Sequence, residues 1–246
     1  PCLIPRVGAN EGGYAVQDYR ECNPGLGRMD EFQITILMLR AAGMSTCIDM
    51  VLNHTAKDHA WAQKARAGDP FYQAFYRMFD DDTLPKQYEE TLTEIFPEQA
   101  PGNFTYYPDM GKWVWTTFNE YQWDLNWENP EVLLAVLDTI LFLAYKGVDV
   151  CRLDAVAFMW IEMGTGCQNL PQVHDLLQIL TQATRVAAPA VRVSCCGRRW
   201  AGTISPRSSL RHRPRWSDRW SISLRVRRDR WPPRRYPPAC RSGAWQ

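Results

Sequence analysis

The sequence predicts an α/β fold. Two observations carry that expectation: an apolar helix closed by a glycine and followed by a short strand occurs twice, and a segment too long for an ordinary loop separates the two units. In the first unit Asp30 to Ala42 carries Phe32, Ile36, Leu37 and Leu39 at roughly helical spacing, Gly43 closes the helix, and Thr46 to Leu52 reads as a strand. The strand runs into Asn53-His54. Alternation sets Asp49, Val51 and Asn53 on one face, and His54 reaches the same mouth only where the strand has already turned into loop. The plainer reading of a lone histidine there is a satisfied structural residue.

The residues from about 55 to 127 form a small inserted subdomain, rich in aromatics, acids and Gly/Pro turns. Its exit, Trp113 to Asn126, alternates flat aromatic faces with amide and carboxylate groups, a mixture suited to sugar rings with apolar faces and hydroxyl edges. Most of these aromatics are expected to form the subdomain's own core instead. Phe118 and Gln122 stand out as candidates for binding.

The second unit opens at Asn129-Pro130-Glu131 with a side-chain cap, a proline where no N–H is needed and an acid against the helix dipole. The apolar run from Val132 to Tyr145 continues the helix, and Lys146 and Gly147 close it. Asp138 interrupts this run, which is also shorter than the ~18 apolar residues of a membrane span, so a packed helix and no membrane partner are expected. The strand that follows, 148 to 154, puts Arg152 and Asp154 two residues apart on one face. At the C-terminal end of a parallel strand a carboxylate beside a fixed cation stays ionised at neutral pH and can attack an electrophilic carbon. The alternative is a strand-end ion pair that only orients a loop.

Asp49-Met-Val-Leu-Asn-His54, Gln122-Trp-Asp-Leu-Asn126 and Cys151-Arg-Leu-Asp-Ala-Val156, in that order, resemble three motifs of the α-amylase superfamily, glycoside hydrolase family 13. The finer pattern is similar to the amylosucrase group of that family, in Gly12 to Tyr19, Asn53 to His59, Trp115 to Phe118, Asp154 to Phe158 and Met163 to Pro171. The resemblance implies part of a (β/α)8 TIM barrel: about the third and fourth strands with their helices, and a small domain inserted after the third strand. Residues 1–191 would be that partial catalytic barrel. It also implies transfer of the glucosyl unit of sucrose to an α-1,4-glucan through a covalent glucosyl-enzyme, with retention. A sucrose hydrolase, a sucrose isomerase and a non-catalytic sugar-binding remnant are the alternatives, and no metal or other cofactor is implied.

Residue by residue, the resemblance makes Asp154 the nucleophile and Arg152 the group that orients it. His54 would contact the glucosyl ring, and Tyr14 would offer a stacking platform at the pocket floor. Phe118, Gln122 and Phe158 would line the neighbouring sugar position. Glu11 stands where the group usually has Asp; its extra methylene pushes the carboxylate inward and is expected to alter the fit of the terminal glucose. Asp49, inside a strand, is expected to serve the hydrogen-bonded scaffold beneath the site more than the sugar.

Retaining glycosidases need a second carboxyl about 5 to 5.5 Å from the nucleophile. The resemblance sets it roughly forty residues after Asp154, near Cys196, where no Glu stands, so the chain as written is expected to lack turnover. Composition also changes after Val191: residues 192–246 hold 15 Arg, no Lys, two acids, five Trp and six Pro, so that about −12 in the first 191 residues is followed by about +13. We read this tail as disordered and translated out of frame, with an arginine-rich arm for nucleic acid as the alternative. Eight Cys without a Cys-x-x-Cys pair indicate neither zinc nor a disulfide framework, and a reducing, cytoplasmic setting is the default expectation.

Overall fold

The computed structural model describes residues 13–98 and 100–195; Glu11 and the arginine-rich sequence from 196 onward lie outside the described residues. The elements run α1 (Met29–Ala41), β1 (Cys47–Val51), β2 (His54–Ala56), α2 (Ala60–Arg66), α3 (Pro70–Gln73), β3 (Met78–Phe79), α4 (Thr83–Glu89), β4 (Phe104–Tyr107), β5 (Lys112–Trp115), β6 (Gln122–Asp124), α5 (Pro130–Tyr145), β7 (Val150–Asp154), one turn of 3-10 helix (Val156–Phe158), α6 (Pro171–Ala187) and β8 (Arg192–Cys195).

The two helix-to-strand units fold as their end signals require. Asn129 accepts from the Glu131 amide at 3.0 Å and so caps α5. Gly147, at φ +98°, lets the chain leave α5 toward β7. Strands β1, β7 and β8 form a parallel sheet in the order β1-β7-β8, with Asp49 beside Arg152 and Val51 beside Asp154. One face of this sheet carries Met50, Cys151 and Leu153, all fully buried in one cluster with Ile140 and Leu143 of α5 and Leu177 and Leu180 of α6. Since neighbouring side chains alternate, the opposite face carries Cys47, Asp49, Arg152, Asp154 and Ser194. The apolar face holds the helices and the polar face is left for chemistry.

Strand β8 corrects the expected boundary at 191. Arg192 to Cys195 pairs in parallel register with Val150 to Leu153, so the fold continues into the arginine-rich composition. Val193 and Cys195 are half-buried and alternate with exposed Arg192 and Ser194. A period of two over four residues is too short to stand out among arginines.

The insertion has its own framework. Strand β2 pairs antiparallel with β6, and β3, β5 and β4 form a second small sheet. Phe79, Tyr88, Phe104 and Trp115 are linked by edge-on or tilted ring contacts at 4.7–6.5 Å, and Trp123 is wholly buried against Tyr76 and Tyr107. Most of the aromatics thus form the subdomain core, leaving Phe118 at its rim. Among the described residues no helix is long and apolar enough to cross a membrane.

Candidate active site

The end of β7 holds the central group. Arg152 Nη1 donates to Asp49 Oδ1 at 2.7 Å and Nη2 to Asp154 Oδ1 at 3.2 Å, so one guanidinium spans two carboxylates from adjacent strands. Register explains it: Asp49 lies directly beside Arg152, and Asp154 is the next residue up on the same face. The Asp154 side chain is 24% exposed, open to solvent and joined to its cation. Burial nevertheless raises its pKa above the ordinary carboxylate value; Arg152 and the Ala155 amide pull it down, and Asp49 pushes it further up. Burial is the larger influence on this carboxyl, and the guanidinium expected to favour its ionised form works against it.

The chain turns sharply after the strand. Ala155 sits at φ +55°, in the left-handed region that L residues rarely adopt, which aims its amide back at the Asp154 carboxyl. The following 3-10 turn is pinned by a bond from Asn169 N to Ala157 O at 2.8 Å, and it delivers Phe158 to the same side.

His54 forms the neighbouring wall. Its Nε2 lies 3.2 Å from the Tyr14 carbonyl oxygen and 3.0 Å from the Gln122 amide nitrogen. Phe118 covers the ring at 5.1 Å and in turn meets Phe158 edge-on at 5.1 Å. Burial lowers the His54 pKa to about 4, so the imidazole is neutral at pH 7. The first strand ends at Val51, before His54, and His54 opens β2 opposite Asp124. Tyr14 completes the group: its half-buried phenol hydrogen-bonds Arg152, and its pKa is raised by burial and then by the charges of Asp154 and Asp49.

Tyr14, Asp49, His54, Phe118, Gln122, Arg152, Asp154 and Phe158 therefore converge, from segments up to 144 residues apart in sequence. His54 and Gln122 are each 2% exposed, and Phe118 packs over the His54 ring. One participant is missing from the expected set. Asp124 is 4% exposed and accepts from the Thr117 hydroxyl at 2.5 Å, from the Thr117 amide at 3.3 Å and from the Asn53 side chain. Its partners come from two other segments, so spacing alone could not reveal it; the signal available was an acid flanked directly by Trp123 and Leu125. Among the described residues no cluster of three or more His, Cys, Asp or Glu side chains suits a metal ion.

Comparison with known proteins places the chain in a family. The alpha-amylase catalytic domain matches residues 5–194. A trehalose synthase of Pimelobacter sp. (strain R48) is 36% identical over 169 residues, 68% of this chain and 29% of that protein. A glucosylglycerate phosphorylase of Allomeiothermus silvanus is 33% identical over 184 residues, 74% of this chain and 31% of that protein. The crystal structure of the trehalulose synthase MutB from Pseudomonas mesoacidophila superposes with a TM-score of 0.67 at 25% identity, over 78% of this chain and 36% of that one. The chain thus spans about a third of the length of these relatives.

Proposed function

The chain belongs to the alpha-amylase catalytic-domain family, and from that premise we propose that it carries the nucleophilic half of a retaining α-glucosyl-transfer site. The observation that supports this most is the Asp49–Arg152–Asp154 bridge at the end of β7, which fixes one carboxylate at a partly open strand end. In the reaction an Asp154 oxygen attacks the anomeric carbon of a glucoside, the bond to the leaving oxygen breaks, and a glucosyl ester remains on Asp154. Arg152 holds Oδ1 and so orients the attacking group. Neutral His54, with Gln122 and Phe118, supplies a ring contact, a polar edge and an apolar face for a sugar.

The finer reading is sucrose as donor, fructose as the first product and an α-glucan as acceptor, supported by the similarity of Trp115 to Phe118 and Asp154 to Phe158 to the amylosucrase group. A second reading, isomerisation of a disaccharide by returning the glucosyl unit to another hydroxyl, is favoured by the likeness to trehalose synthases and to trehalulose synthase. A variant of that trehalulose synthase has been crystallised with sucrose. Product analysis separates the two: glucan with free fructose, or an isomeric disaccharide.

Protonation of the leaving oxygen needs a second carboxyl, and the position where the resemblance sets it, near Cys196, lies outside the described residues. A donor whose leaving group needs no proton tests the nucleophile by itself. With α-glucosyl fluoride, the Asp154 oxygen forms the C–O bond as fluoride departs with the electron pair. The expected result is an intact mass raised by one glucosyl unit, located by peptide mapping on Asp154 and absent from Asp154→Asn. Labelling of the variant at the wild-type rate would remove Asp154 from the role.

A further inference from the structure

We infer that Asp124 is a positioning residue whose buried carboxylate sets the spacing of His54 and Phe118 by holding the residue that precedes each of them, Asn53 and Thr117. The inference rests on the reading that these two rings line the sugar site.

A carboxylate at 4% exposure is costly unless donors surround it. Here the donors belong to the two segments that carry the candidate binding groups. Thr117 gives both its hydroxyl and its amide. Trp115 Nε1 donates to the Thr117 oxygen at 3.0 Å, which leaves the hydroxyl hydrogen free for Asp124. Asn53 gives its side-chain amide, and the same Nδ2 lies 3.5 Å from His54 Nδ1. Arg77, paired with Glu128, adds a favourable charge from the side and fixes the strand through Arg77 N to Asp124 O.

A residue serving only to fill the core at this point would be apolar, as its neighbours Trp123 and Leu125 are. The carboxylate does what an apolar side chain cannot: it ties three segments, at positions 53, 117 and 124, in one directional node. From that node His54 and Phe118 project next to one another, their rings 5.1 Å apart. Cutting the node frees Phe118 to swing and leaves the Asn53 amide and the Thr117 hydroxyl to find other partners.

The test uses the full chain in two measurements. The first is the NMR cross-peak between the His54 and Phe118 rings, which needs no ligand. The second is the α-glucosyl fluoride labelling of Asp154, resolved into its maximal rate and its half-saturating concentration. In Asp124→Ala the ring cross-peak is expected to vanish and the half-saturating concentration to rise about 10- to 100-fold, with a smaller change in maximal rate. A retained cross-peak, or an unchanged half-saturating concentration, overturns the inference. Loss of the cross-peak in a protein whose wild type takes no label upholds the positioning and sinks only the sugar reading. Should Asp124→Ala not fold, Thr117→Val and Thr117→Ser decide: the serine is expected to keep the cross-peak and the valine to lose it. A valine variant that keeps it overturns the inference.

Discussion

Asp49 and Asp154 share one guanidinium, so a change at either is felt by the other. Asp49→Asn removes a charge that raises the Asp154 pKa and also weakens the 2.7 Å anchor on Arg152 to a bond with a neutral acceptor. The two effects separate in a pH profile of α-glucosyl fluoride labelling. Attack needs the ionised carboxylate, so the acid limb is expected to move to lower pH in Asp49→Asn, while the plateau falls about tenfold as Arg152 loses its fixed orientation. An acid limb that stays put would show that Asp49 has no electrostatic hold on Asp154. Arg152→Lys is expected to lower the plateau further, because a single ammonium cannot hold both carboxylates in the geometry of a planar fork. Arg152 and Asp154 were legible in the sequence because strand alternation puts residues i and i+2 on one face. Asp124 was not, because its partner at 53 is brought to it by the pairing of β2 with β6 and its partner at 117 by the return of the chain between β5 and β6.

At the scale of elements, end signals were the most readable feature. Helix α5 starts at Pro130 and stops at Tyr145, as Asn129, Pro130 and Gly147 require. Two substitutions gauge those signals by denaturant unfolding. Asn129→Ala removes the bond to Glu131 N and is expected to cost about 1 kcal/mol. Gly147→Ala is expected to cost more, about 1–2 kcal/mol from the left-handed backbone alone, and its new Cβ would also stand 3.2 Å from Ile36 Cγ2. Equal or smaller loss at Gly147 would mean that the connection rearranges freely. The insertion was readable as a subdomain but not as strands: β3 spans two residues and β6 three, too few to display a period of two. Strand β8 escaped notice because its two inward residues, Val193 and Cys195, stand amid a change of composition.

For the molecule as a whole, the buried titratable groups set opposing pH dependences. His54 and His59 are both driven from 6.5 to about 4 by burial, so between those values the unfolded chain binds up to two more protons than the folded one. Their contribution is fully present above pH 6.5 and is lost as pH falls toward 4. Asp124 acts in the other direction: burial raises it from 3.8 to about 7, so over the same range the folded chain binds one more proton and loses stability as pH rises toward 7. Asp154, also raised, adds to that opposing side. The net gradient is at most one proton, or about 1.4 kcal/mol per pH unit, rising from pH 4 and turning over near pH 6.5. His59 provides the check. Its Nδ1 accepts from Trp61 N and caps α2, a bond that an asparagine oxygen can replace, so His59→Asn removes the titration and keeps the cap. Unfolding free energies measured across pH 4 to 8 should then lose the rise below 6.5 and become nearly flat. A His59→Asn profile that keeps the wild-type slope would place the acid sensitivity in groups other than His59.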